Sequence, residues 1–219
     1  MLNSLKYPIR SLIGVIAVLL SVVATILLVY RAAMQGGAWH IVSFSIYGLS
    51  LITLWTISTL YHSLNVSSGT KRTLEQLDHA MIYFLIAGTY TPICLIVLHG
   101  GWGWGLFGVN WALAITGIVL KLVFRNPAKW LVILFFIFYI LMGWLLVIAW
   151  HPLTLAMPRA GLYWLILGGV YYTVGAGVFN LRHLNFHPWF GAHEMWHLFV
   201  LAGSYCHFWM MYNFVVYLK

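Results

Sequence analysis

Long apolar runs, separated by short polar segments, make up most of the chain. Each run is close to the roughly 20 residues that an α-helix needs to cross the hydrocarbon layer of a bilayer. Because lipid offers the backbone no hydrogen bonds, runs of this length fold as helices that satisfy their own backbone groups. The pattern predicts an all-α, polytopic membrane protein, a single domain over residues 1–219 built as a seven-transmembrane helix bundle. The approximate limits of the helices are 9–30, 41–64, 78–98, 103–124, 130–150, 161–181 and 191–216.

The composition strengthens this prediction, since 63% of the residues are hydrophobic and only 6% are charged. A soluble domain carries about 25% charged residues. The net charge of +8 would favour nucleic-acid binding in a soluble protein, but in a membrane protein its distribution over the loops matters more than its sum. We therefore expect a multi-pass protein of the cell membrane whose partner is a membrane lipid, with no nucleic acid bound.

The basic residues indicate an orientation, because Lys and Arg gather on the cytoplasmic side of membrane proteins. Placing the N-terminus inside leaves three basic residues outside, Arg31, Arg159 and Lys219. The same choice puts eight inside, namely Lys6, Arg10, Lys71, Arg72, Lys121, Arg125, Lys129 and Arg182. The count predicts a cytoplasmic N-terminus and, after seven spans, a C-terminus outside.

Three histidines form the candidate metal site. His62 ends the second predicted helix, and His193 and His197 lie in the first turns of the seventh, so all three reach the inner leaflet. Residues four apart share a helix face, so His193 and His197 can bind one ion together with His62. Three imidazoles with a fourth position left for water are typical of a catalytic zinc site. The pattern therefore predicts zinc as the cofactor.

Asp78 and Ser58 are the candidate catalytic residues beside this site. Asp78, at the start of the third predicted helix, would orient or deprotonate a water, or act as a fourth ligand. Ser58 precedes His62 by one turn and would donate to a developing oxyanion or fix a ligand. Simpler interpretations exist, because Ser58 can bond to its own helix backbone and Asp78 can cap the third helix.

Residues 193–197 read His-Glu-Met-Trp-His, the pattern of zinc proteases in which the Glu is the general base. This raises an intramembrane metalloprotease as a further hypothesis. Against it, Glu194 competes with Asp78 for the role of base, and no predicted strand would hold an extended peptide. Glu194 would otherwise interact with the positive N-terminal end of the seventh helix or with Arg182.

Several ordered motifs over roughly residues 42–216 resemble bacterial hemolysin III, a branch of the progestin and adiponectin receptor family. They are Ser58–His62, Leu77–His79, Ala87–Pro92, His193–His197 and Gly203–His207. The resemblance implies seven helices with a cytoplasmic N-terminus, and zinc held by the three histidines with Asp78 and Ser58 beside it. It also implies hydrolysis of lipid amides such as ceramides, or cytolytic activity.

The chain departs from that family at two places. Near the start of the first helix, where the bacterial branch usually has a Glu and then a His, it has Asn3, Ser4, Arg10 and Ser11. Glu194 is also not typical between the two ligands. The sequence thus leaves two main functions open, a zinc-dependent hydrolase acting on a membrane lipid amide or ester, and a membrane sensor or cytolytic factor whose zinc is structural.

Overall fold

The structure, a computed structural model, describes residues 7–124, 127–181, 185–187 and 190–218, without the side chains of 185 and 186. Some residues used above lie outside this part of the chain, namely Asn3, Ser4, Lys6, Arg125, Arg182 and Lys219. The described part is almost wholly helical. The predicted all-α membrane architecture is confirmed.

The helices follow one another along the chain with short connections. They are α1 (Pro8–Gln35), α2 (Ala38–Ser63), α3 (Ser68–Pro92), α4 (Gly100–Val123), α5 (Lys129–Trp144), α6 (Trp150–Ala156), α7 (Arg159–Asn180) and α8 (Ala192–Asn213). A π-helical segment, Ile93–Leu98, extends α3, and 3₁₀ turns occupy Leu145–Ala149 and Val215–Tyr217. Two short strands, β1 (Asn185–His187) and β2 (Phe190–Gly191), form an antiparallel pair before α8 that the sequence pattern did not predict.

Six helical segments in the described residues are long and apolar enough to cross a membrane. They are α1, α2, α3 with its π-helical extension, α4, α7, and the continuous segment Lys129–Ala156 that contains α5 and α6. α8, with 22 residues, lies where the seventh span was predicted. It is not one of these six segments, and His193, Glu194 and His197 make its composition more polar. These elements correspond in order to the seven predicted spans, and the chain is a multi-pass membrane protein.

The start of α3 differs from the prediction. The helix begins at Ser68 rather than near residue 78, and the Ser67 hydroxyl caps it by accepting a hydrogen bond from the Thr70 N–H over 3.4 Å. Asp78 is therefore not an N-cap, and that interpretation was wrong. The first turns of α3 carry exposed polar residues such as Arg72 and Glu75. An apolar pattern detects only the part of a helix that lies in lipid, so it missed them.

The span Lys129–Ala156 is interrupted at its centre. Pro152 has no N–H to donate to the carbonyl one turn earlier, and the 3₁₀ turn Leu145–Ala149 precedes it. The Tyr90 hydroxyl from α3 donates to the Gly143 carbonyl over 3.0 Å and accepts from the Leu146 N–H over 3.0 Å. Irregular backbone within a membrane is tolerated where protein groups satisfy it in this way.

Helix packing brings the ends of α2 and α8 together. α1 packs mainly on α2, α7 mainly on α8, and α8 also contacts α1. Glycines allow the close approaches, since a Cβ on Gly48 would collide with Thr25 of α1 and one on Gly175 with Phe199 of α8. Trp55 of α2 is almost completely buried in the centre of this packing. The arrangement fixes the last turn of α2 against the first turns of α8.

Candidate metal centre

Three imidazoles meet where α2 ends and α8 begins. His62 belongs to the last turn of α2, and His193 and His197 to the first two turns of α8. One ring nitrogen from each residue lies within 4.8 Å of the others. His62 and His197 are only 1% and 4% exposed, whereas His193 is half-buried. The structure thus brings together the three side chains that the sequence singled out as metal ligands.

The distances between the rings fit a shared ion. The Nε2 atoms of His62 and His193 are 3.2 Å apart. Two ligand nitrogens of a tetrahedral zinc site lie about 3.3 Å apart. The three residues offer three imidazole nitrogens within reach of one point, and two of the rings are buried. Neutral imidazole nitrogens suit zinc, so these residues fit such an ion.

Glu194, between the two α8 histidines, is occupied by other contacts. Its Oε1 accepts a hydrogen bond from the Arg10 guanidinium over 2.6 Å, and its Oε2 accepts one from the Gly191 N–H over 2.8 Å. The second contact satisfies the N–H of the N-cap residue of α8, so Glu194 interacts with the N-terminal end of this helix, as one of the two predicted interpretations has it. The alternative partner, Arg182, lies outside the described residues.

Arg10 is a residue of this site that the sequence pattern did not identify. A usable signal existed, because a guanidinium in an apolar run needs a partner and the chain has only three acidic residues. One of these is exposed Glu75 and another is Asp78, on the same helix. The third is Glu194, so the sequence limits the partner of Arg10 to three acids, of which the structure selects Glu194.

Asp78 lines the same cavity as His193 and His197 and is not one of the three grouped ligand residues. The Ser58 hydroxyl lies near enough to this carboxylate to interact with it. Thr59, next to Ser58, instead bonds to the Trp55 carbonyl of its own helix over 2.6 Å. The roles predicted for Asp78 and Ser58 stay predictions, and the structure places both side chains on the wall of the same cavity as His193 and His197.

A cavity of about 240 Å³ extends from this centre into the bundle. Its polar end includes Ser58, Asp78, His193 and His197. Most of the remaining lining is apolar and comes from α3, α5, the 3₁₀ turn after α5, α7 and α8, with residues such as Ile82, Ile86, Ile140, Val147, Ile166 and Val200. The lining continues as far as Leu153 in α6. An elongated apolar space therefore ends at the candidate metal centre.

The comparison with known proteins agrees with these features. The model of the family described as haemolysin-III related matches residues 5–208. The chain belongs to the haemolysin-III-related family. It is 44% identical over 189 residues to the hemolysin-3 homolog of Bacillus subtilis (strain 168), an alignment covering 86% of this chain and 84% of that protein. It is 42% identical over 190 residues to hemolysin-3 of Bacillus cereus, covering 86% and 82% of the two chains.

A more distant relative is human. This haemolysin-III-related protein is 28% identical over 181 residues to the human monocyte to macrophage differentiation factor, which covers 81% of this chain and 72% of the human one. The family match extends from before α1 into α8 and thus contains His62, Asp78, His193 and His197. The resemblance to bacterial hemolysin III that the motifs indicated is confirmed.

Proposed function

We propose that this protein is a zinc-dependent hydrolase that cleaves an amide or ester bond of a membrane lipid. The observation that carries the proposal is the apolar cavity that ends at Asp78, His193 and His197. A lipid acyl chain gains free energy by occupying an apolar space, and its carbonyl group would then reach the polar end. Zinc is the cofactor of the proposed reaction, held by His62, His193 and His197.

The reaction assigns a separate task to each group of the centre. When bound, zinc supplies a Lewis acid that polarises a carbonyl and makes a nearby water more acidic. Asp78 accepts the proton that this water loses as its oxygen bonds to the carbonyl carbon. The carbonyl carbon then loses its bond to the amine nitrogen or alcohol oxygen, and Asp78 returns the proton to that leaving atom. Ser58 donates a hydrogen bond to the Asp78 carboxylate and orients it.

The predicted orientation gives the lipid a direction of entry. His62, Asp78 and His193 lie at the same end of the bundle as the start of α1. With a cytoplasmic N-terminus, this end faces the inner leaflet. We therefore propose that the lipid enters laterally from the inner leaflet.

A second function has some support. The three histidines join only α2 and α8, so an ion bound there would also act as a cross-link between two helices. One relative is named hemolysin-3, which fits a cytolytic factor. In that case the zinc stabilises the fold of a sensor or lytic protein and Asp78 has no chemical task. The metalloprotease alternative is weaker, because both carboxylate oxygens of Glu194 already accept hydrogen bonds.

The two functions are separated by Asp78→Asn, with Glu75→Gln as a matched control. Glu75 is an exposed acid three residues before Asp78 on the same helix, so its change to an amide removes a nearby negative charge but leaves the Asp78 carboxylate in place. Purified proteins in lipid vesicles would be assayed for zinc content and, by mass spectrometry, for products from amide and ester lipids with the same acyl chain. We expect Asp78→Asn to keep its zinc and to lose turnover by about a hundredfold or more, while Glu75→Gln keeps both.

Other results would contradict the hydrolase. The structural-zinc alternative would be supported by two results together. The zinc-loaded wild-type protein would show no turnover, and the Asp78→Asn variant would differ from it only in a lower unfolding temperature. An Asp78→Asn variant with full turnover would remove Asp78 from the reaction.

A further inference from the structure

The cavity is closed at the end that lies far from the metal centre. Four elements line this end with one residue each, the π-helical segment with Ile93, α6 with Leu153, α7 with Leu165 and α8 with His207. Along each element, this is the last lining residue on the way outward from the three histidines. All four are buried, and the His207 Nε2 donates to the Leu165 carbonyl over 3.2 Å. Side chains from four elements therefore form the wall at this end.

The bundle beyond the closed end is filled with packed side chains. The next residues outward are buried, belong to the same hydrophobic core and do not line the cavity. They are Met157 after α6, Leu162 of α7, Met210 and Met211 of α8, and Val215 of the following 3₁₀ turn. A close-packed core has few voids larger than a water molecule. The cavity therefore ends inside the bundle on this side.

The length of the cavity follows from α8, which runs along it. His193 and His197 precede His207 by fourteen and ten residues, which is about 21 and 15 Å along the helix axis. Carbon–carbon bonds of about 1.5 Å advance an extended hydrocarbon chain by about 1.3 Å per carbon. A chain whose carbonyl lies at the metal centre thus reaches the closed end with roughly 12–16 carbons.

We propose that the closed end selects lipids by the length of the acyl chain, and that Leu153 and Gly169 set this length. The ligand class is an amide or ester of a fatty acid with roughly 12–16 carbons. A shorter chain leaves part of the apolar space empty, and a longer one is forced against close-packed side chains, so both bind less well. The inference rests on the proposed function in that the carbonyl lies at the metal centre.

Two positions on the wall allow the length to be changed in opposite directions. Leu153 is completely buried at the closed end, so Leu153→Ala lengthens the space. Gly169 also lines the cavity, about one helical turn nearer the metal centre than Leu165. A Cβ on Gly169 would meet only Trp144, at an ordinary 3.8 Å, so valine at this position shortens the space without a clash.

The test measures binding, so that it does not depend on turnover. Zinc-loaded protein in detergent would be offered a series of acyl amides that differ only in chain length, followed by native mass spectrometry. The amount of each bound lipid is divided by its amount in the detergent, which corrects for differences in solubility. Wild-type protein should bind best at roughly 12–16 carbons, and about tenfold less well when the chain is half as long again.

The variants should shift the best chain length. Leu153→Ala should move it up by about three carbons, the number that the substitution removes. Gly169→Val should move it down by about four carbons, which corresponds to one helical turn of about 5.4 Å. Matched controls lie on the same two helices. Leu155→Ala changes a side chain that is 76% exposed, and Gly177→Val adds one outside the cavity lining where a Cβ meets open space, so both should keep the wild-type length.

The results distinguish the two proposals. Wild-type protein that binds no acyl amide would refute the proposed function. If it binds longer chains as well as those of the expected length, only the length selection is refuted, because a long chain has then left the cavity at its side, where Val147 and Ile166 are 58% and 37% exposed. A best length that is unchanged in both Leu153→Ala and Gly169→Val would refute the role of these two residues. If one variant binds no lipid, the other still decides, since the two expected shifts are opposite.

Discussion

The Arg10 guanidinium donates a hydrogen bond to the Glu194 carboxylate over 2.6 Å, and so connects α1 to the first turn of α8. The same carboxylate accepts a hydrogen bond from the Gly191 N–H. Glu194 lies between His193 and His197 in a pattern that would make it a general base in a protease. Here both of its oxygens are used to hold the start of α8. The unusual Arg10 and the unusual Glu194 are therefore partners.

The first prediction concerns Glu194→Gln. The variant keeps an oxygen for the Gly191 N–H but loses the charge that pairs with Arg10, a side chain that is 21% exposed in this contact. We expect the free energy of unfolding to fall by about 1–3 kcal/mol, between the values for exposed and for buried ion pairs. Zinc content and turnover should change little. Thermal unfolding in detergent, zinc analysis and the lipid assay measure the three quantities.

Arg10→Gln is the matched control for that experiment. If the role of Glu194 is to bind Arg10, each single variant should lose a similar amount of stability, and the double variant should lose little more than either one. A Glu194→Gln protein that keeps its zinc and fold but has no activity would instead identify Glu194 as the base and revive the protease hypothesis.

The second prediction concerns the metal. His62→Ala, His193→Ala and His197→Ala should each reduce bound zinc well below one ion per chain, because each removes one of three nitrogen ligands. His151→Ala, an exposed histidine on α6, should keep the wild-type amount. Metal analysis of the detergent-purified proteins gives the answer. Full zinc content in all three variants would refute the ligand assignment.

The third prediction is the effect of removing the ion. Because the proposed zinc site is formed only in the folded bundle, chelation should lower the unfolding temperature of the wild-type protein, with about 2.7 kcal/mol lost relative to zinc at a hundred times its dissociation constant. Adding zinc back should restore it. The His197→Ala protein, without its full ligand set, should respond to neither treatment. Equal unfolding temperatures of the wild-type protein with and without chelator would contradict a site at this position.

Much of this architecture could be predicted because lipid imposes simple rules on sequence. Apolar runs gave the order and number of the spans, and the spacing of His193 and His197 placed two imidazoles on one face of α8. The third ligand, His62, was predicted because its helix ends on the same side of the membrane as the start of the last helix. These features depend only on the pattern within each helix and on the side of the membrane at which each helix ends.

Other features depend on contacts between distant parts of the chain. The pairing of Arg10 with Glu194 joins residues that are 184 positions apart, and no periodicity reports it. The first turns of α3 are polar, so the hydropathy of the sequence does not show that they are helical. The 3₁₀ turn Leu145–Ala149 and the preceding Gly143 carbonyl receive hydrogen bonds from Tyr90, which belongs to another helix. Tertiary contacts of this kind have to be observed.

The fourth prediction tests the orientation. Cys94 and Cys206 are buried, so an introduced thiol can be labelled without background. Ser68→Cys lies at the exposed start of α3, and Gly101→Cys lies at the start of α4, beyond the other end of that span, where a Cβ meets open space. With a cytoplasmic N-terminus, an impermeant maleimide should label Gly101→Cys on intact cells and Ser68→Cys only after the cells are broken. The opposite result would invert the predicted topology.

The last prediction concerns Tyr90, whose hydroxyl both donates to the Gly143 carbonyl and accepts from the Leu146 N–H. Tyr90→Phe keeps the ring but leaves two backbone groups of the interrupted span without partners inside the bundle. We expect a loss of about 1–3 kcal/mol in the free energy of unfolding, because an unsatisfied buried group costs more than a typical hydrogen bond contributes. Tyr163→Phe, at a side chain that is 71% exposed, removes a hydroxyl without such contacts and should be nearly neutral. Equal stability of the two variants in a denaturant titration would mean that the 3₁₀ turn is stabilised by its own packing rather than by Tyr90.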